Sequence, residues 1–110
     1  RLWSIVEQHV QRGVVELDTA YFKHDFNNNQ KEMRYKLHST IVKVTDDMQR
    51  RFTFNTAIAA NMELLNHLSS FEVKDTVDQQ LRQEILNSVI LMLSPIIPHI
   101  THTLWFELGN

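Results

Sequence analysis

Lys36, Lys43 and Arg50 recur at intervals of seven residues, a spacing that returns to nearly the same side of an α-helix at about 100° per residue. Cations in such a row can follow a phosphate backbone. They belong to a local concentration of positive charge. Residues 31–51 hold six basic side chains (Lys31, Arg34, Lys36, Lys43, Arg50, Arg51) against three acidic ones (Glu32, Asp46, Asp47). Of the 11 basic and 13 acidic residues in the whole chain, five and ten respectively lie elsewhere. His38, beside the row, could donate to the same phosphates. A plainer reading stays open, that of a solvated face. Lys43 with Asp47, Asp46 with Arg50 and Asp47 with Arg51 are i, i+4 pairs worth only about 0.2–0.5 kcal/mol each, and such pairs decorate many helices that bind nothing.

The other chemically able residues point to structure. His99 and His102 lie one helical turn apart and could share a metal, but zinc takes a third and fourth ligand. The chain has no Cys, and Glu107 is the only carboxylate nearby in sequence, so a hydrogen-bonded structural histidine is the better reading and no metal is expected. Trp105 could stack on a base, yet its position beside Leu104 and at helical spacing from Leu108 reads as core. There is no glycine-rich phosphate loop, no G-x-S-x-G and no H-E-x-x-H. These residues make no catalytic site.

The elements that carry them are expected to be helices. Only two of 110 residues are Gly and two are Pro, where average usage would give about 12% of positions. That is too little turn chemistry for a sandwich or barrel. With 43% apolar and 22% charged residues the chain is not disordered by composition. No apolar run is long enough to cross a membrane. A net charge of −2 exerts no global pull on nucleic acid.

Helical periodicity predicts a first helix over 1–12, with Leu2, Val6 and Val10 on one face and Gly13 closing it. An irregular stretch follows to residue 29, where Asn29 and Glu32 have the spacing of a capping box. Met33, Leu37, Ile41, Val44 and Met48 mark a long helix over 30–51. A third helix over 55–68, capped by Asn55 or Thr53, has Ala57, Ala59 and Ala60 to admit a close neighbour. A fourth starts at Asp75 or Thr76, polar at first and nearly apolar from Ile85. Pro95 and Pro98 break that run, and Pro98 opens a last helix. The expectation is an all-α bundle of four or five helices in one domain, 1–110, excised from a larger chain.

Two stretches carry a family resemblance. K-V-T-D-D (43–47), R-R (50–51), F-N-T-A-I-A-A (54–60) and M-E-L-L (62–65) closely resemble leucyl-tRNA synthetases of the bacterial type. L-S-P-I-I-P-H-I (93–100), L-W (104–105) and E-L (107–108) look like a pattern shared among class I synthetases for aliphatic amino acids. Arg1-Leu2-Trp3 and residues 7–10 are similar to the helix that follows the catalytic body of the leucyl enzyme.

The resemblance implies the helical anticodon-binding domain of such an enzyme. Its parent would attach leucine to tRNA(Leu) in the cytoplasm, with ATP and Mg²⁺ at a site whose H-I-G-H and K-M-S-K-S motifs are absent here. The fragment itself would bind tRNA, hold no cofactor and catalyse nothing. By position, Lys43, Arg50 and Arg51 match the family pattern, with Arg34, Lys36 and His38 in the looser part before it; all six are expected to meet phosphates. His99 and Trp105 match the P-H-I and L-W motifs and are expected to pack. The expected partners are tRNA(Leu) and the parent's catalytic domain, not a membrane. Leu2 and Trp3 are expected on the docking face, where their exposure would favour self-association of the isolated piece. The rival functions are a helical protein-interaction or structural module, or the same domain of a valyl, isoleucyl or methionyl enzyme.

Overall fold

A computed structural model describes residues 2–15, 17–23, 25–51, 54–96 and 98–110, without the side chains of Arg50 and Arg51. Six α-helices follow in order: α1 (Leu2–Arg12), α2 (Thr19–Phe22), α3 (Asn28–Asp46), α4 (Phe54–Ser70), α5 (Thr76–Leu93) and α6 (Pro98–Glu107). A π-helical segment, Asp47–Arg51, continues α3. No strand occurs among the described residues, and the all-α bundle holds, with the single turn α2 added.

Helix α5 is the central element. Leu81, Ile85, Leu86 and Val89 are fully buried, and Ile90 and Leu93 nearly so. They meet Leu2, Ile5 and Val6 of α1, Met33 and Leu37 of α3, Leu64, Leu65 and Leu68 of α4, and Leu104 of α6 in one core. A smaller cluster joins Val44 to Ala57 and Ala60, the small side chains that let α4 approach α3 closely. Ala59 is exposed and takes no part.

Several local details differ from the sequence expectations. The capping box forms between Asn27 and Gln30, two residues earlier than Asn29 and Glu32: Gln30 N–H donates to Asn27 Oδ1 at 2.9 Å, and Asn27 N–H donates to Gln30 Oε1 at 3.0 Å. Gln30 wins because its amide is also held from the other side, Nε2 donating to Asp78 Oδ1 at 2.7 Å. Asp75 caps α5 by accepting from Asp78 N–H at 2.8 Å. Asn55 lies inside α4, and Thr53 is outside the described residues. The residues between Gly13 and α3 contain α2, started by Asp18, whose Oδ1 accepts from Tyr21 N–H at 2.9 Å.

Gly13 and Gly109 take φ of +116° and +89°, the left-handed region where a Cβ is strained. Gly109 is doubly constrained, since a Cβ there would stand 2.8 Å from Val14 Cγ1. Leu2 turns into the protein's own core at 8% exposure, correcting its placement on an outward docking face, while Trp3 stays 42% exposed. The stripe of α1 centres on Leu2, Ile5, Val6 and His9, so Trp3 falls to its outer edge, where Nε1–H donates to Glu7 at 2.7 Å.

Candidate nucleic-acid interface

Helix α3 buries Gln30, Met33, Leu37, Thr40 and Val44, which fixes by geometry which residues face outward. Lys31, Tyr35, His38 and Val42 form the outermost ridge, with Tyr35 76% and Val42 70% exposed. Lys36 and Lys43 lie along the flank next to α4. Lys36 Nζ donates to Glu63 of α4 at 3.0 Å, and both side chains are open to solvent. That hydrogen bond first, then the charges of Lys36, His67 and Lys43, hold the Glu63 carboxyl below its usual pKa against a small opposing effect of burial. Lys43 is exposed and makes no ion pair with Asp47.

The sequence pairing failed there because Asp47 is buried, at 3% exposure, with Oδ2 lacking any hydrogen-bond partner. At Asp47 the helix changes to π geometry. The row spaced by seven is therefore α-helical through Lys43 but enters a wider turn before Arg50. A π segment requires i→i+5 hydrogen bonds and is frequent at functional sites. The side chains of Arg50 and Arg51, and the pairings expected of them, lie outside the described residues.

Arg34 is held differently from the other candidates. Its Nε and Nη2 donate to Glu84 Oε1 and Oε2 of α5 at 3.2 and 3.3 Å. The guanidinium lies 4.7 Å above the Phe26 ring and 5.8 Å from that of Tyr21. Tyr21 O–H also donates to Glu84, at 2.6 Å. Burial, then the bond and charge of Glu84, push the phenol pKa up strongly. Arg34 thus ties α2, α3 and α5 together. An open groove of about 550 Å³ beside α3 is lined by Tyr35, Lys36, His67 and Lys74 but also by Glu32 and Glu72, so its charge is mixed.

On α6, His99 is exposed, against the expectation that it packs: the helix buries Thr101 and Leu104, and position 99 falls on the outer side. Trp105 is half-buried against the main core. His102 is exposed with its ring edge-on to Phe106 at 4.9 Å. Among the described residues no three possible metal ligands gather.

Sequence reasoning missed a polar network under α1. His9 is fully buried. Its Nδ1 faces the Gln79 amide at 3.4 Å, and its Nε2 meets Gln83 Oε1, so the neutral Nε2–H tautomer satisfies both. Gln79 Nε2 donates to Gly13 O at 2.7 Å, and Gln83 Nε2 to Leu108 O at 3.0 Å. These bonds join the ends of α1 and α6 to α5. Burial, above all, lowers the His9 pKa; Gln83 opposes this, and the charges of Arg82 and Arg12 add to it. The signal was available: His9 sits in the apolar stripe of α1, and Gln79 and Gln83 stand at i, i+4.

The chain is a helical bundle with a basic flank on its second long helix and a proline-started last helix. A family described as the anticodon-binding domain of tRNA ligase matches residues 30–110, and the chain belongs to that family. Across its whole length it is 52% identical over 110 residues to the leucine–tRNA ligase of Nitrosococcus oceani and, equally, to that of Thioalkalivibrio sulfidiphilus. It is 50% identical over 111 residues to the leucine–tRNA ligase of a Marinomonas species. In each case the chain spans 13% of the relative's length.

Proposed function

We propose that this chain is the tRNA-positioning domain of a leucine–tRNA ligase, and that its parent joins leucine to tRNA(Leu) at the expense of ATP. The observation that carries the reading is identity of about half the residues with leucine–tRNA ligases along the entire chain. Lys36, His38, Lys43, Arg50 and Arg51 contact backbone phosphates, which set position and orientation without reading sequence. Lys36 is free to exchange Glu63 for phosphate, since an exposed ion pair holds it weakly. Arg34 is assigned to fixing α3 against α5, so that the basic flank is presented at a constant angle. ATP and Mg²⁺ act in the parent's nucleotide site, outside this domain. The parent works in the cytoplasm.

Titration of tRNA into the chain at two salt concentrations tests the interface. With three to five phosphates neutralised, the dissociation constant falls in the range of about 10⁻⁴–10⁻⁶ M and weakens steeply with salt. Binding that ignores salt, or that survives Lys43→Glu combined with Arg50→Glu, contradicts the assignment to α3.

A further inference from the structure

Arg82 of α5 is 4% exposed, and its Nε has no hydrogen-bond partner. No described acid pairs with it; Glu84, Glu63 and Glu72 are taken by Arg34, Lys36 and Lys74. The charge that acts on it is of its own sign: burial first and then Arg12 hold its pKa below the ordinary arginine value. Its polar neighbours along α5 are already satisfied, Gln79 by Gly13 O and Gln83 by His9 and Leu108 O. A guanidinium taken out of water costs free energy that only a well-placed partner returns. Two cations set together with no anion raise that cost.

We propose that Arg82, with exposed Arg12 beside it at the end of α1, receives a carboxylate side chain from polypeptide outside these 110 residues. The inference rests on the reading that the chain is a domain of a larger ligase, of which its relatives carry most of their length elsewhere. The planar fork of an arginine matches a carboxylate with two parallel bonds. The burial of Arg82 favours a protein side chain, since an Asp or Glu stem extends to a cation held below the surface while an RNA phosphate is met by groups standing at the surface. The direction agrees. Glu84, two residues on and about 200° around α5, faces Arg34 of α3, so Arg82 points away from the flank assigned to tRNA.

The test compares Arg82→Met in the full-length ligase and in the 110-residue chain. Methionine keeps the bulk and removes the charge. In the 110-residue chain the melting temperature stays the same or rises. In the full-length protein, proteolytic cleavage separating this domain from the rest accelerates at least about tenfold, because the buried partner loses its cation. Arg12→Gln accelerates it less, and the salt slope of tRNA binding is unchanged in both. Equal loss of melting temperature in the two proteins overturns the proposal, since it would place the partner within the 110 residues. A salt slope reduced by about one contact per arginine also overturns it, in favour of an RNA phosphate. If full-length Arg82→Met does not fold, Arg12→Gln decides alone: faster cleavage supports the proposal and unchanged cleavage overturns it. Cleavage is read without tRNA, so this proposal and the tRNA-binding reading fail separately.

Discussion

His9 shows how a single buried residue sets a condition on the whole fold. Its imidazole must stay neutral, because Nδ1 accepts from Gln79 and the folded pKa is held below the ordinary 6.5. The unfolded chain binds this proton at about pH 6.5. Stability from His9 is therefore complete above that pH and is lost as pH falls toward the lowered folded value. Thermal melts at pH 7.5 and 5.5 should show a loss that shrinks in His9→Gln, measured against that variant's own value at pH 7.5. Gly109 is the second residue of this kind. Gly109→Ala meets both a positive φ and the Val14 methyl at 2.8 Å, and should cost about 1–3 kcal/mol in a denaturant titration. A change under about 0.3 kcal/mol would mean that the chain end shifts freely. At this scale the sequence was legible where one residue type has one use, as with Gly13 closing α1. It was opaque where a polar residue has two: Asp47 reads as part of a solvated face and is buried, because burial depends on which helix lies opposite.

Helix ends explain how the elements hold one another. The α3 and α5 N-termini share a clamp in which Asp78 accepts from Gln30 Nε2 at 2.7 Å and from Lys74 N–H at 2.9 Å. Asp78 also stands in the first turn of α5, where a carboxylate favours the helix dipole. Asp75→Ala should remove only a cap, costing about 1 kcal/mol. Asp78→Ala should cost at least about 2 kcal/mol, because it strands the buried Gln30 amide as well. Equal losses for the two in chemical denaturation would show that the clamp adds nothing to capping. Helices α1, α3, α4, α5 and α6 were foreseen from apolar periodicity and the proline break. Helix α2 was not, since four residues carry no period. Nor was the π segment, because its residues fit an α pattern equally well and only packing against α4 separates the two. That segment matters most for the candidate site, as positions 50 and 51 belong to it.

For the whole molecule, five helices packed around α5 leave one flank of α3 free to carry cations, within a chain that is net acidic outside residues 31–51. Such a layout attracts a polyanion to one side and turns it away from the others. The family was legible in two motifs, and both lie where the fold is most constrained: the close approach of α4 to α3 and the break between α5 and α6. The site was less legible, since charge spacing gives a side of a helix but not which cations the fold has already engaged, as Glu84 engages Arg34. The central claim is that the α3 flank positions tRNA for a reaction catalysed elsewhere in the parent. The most direct test is leucylation by the full-length ligase carrying Lys43→Glu with Arg50→Glu. The account predicts a KM for tRNA raised at least about tenfold, as for the loss of 1.4 kcal/mol of uniform binding, with kcat little changed, and ATP–pyrophosphate exchange with leucine unaltered. An unchanged KM for tRNA, or a loss of pyrophosphate exchange, would contradict it.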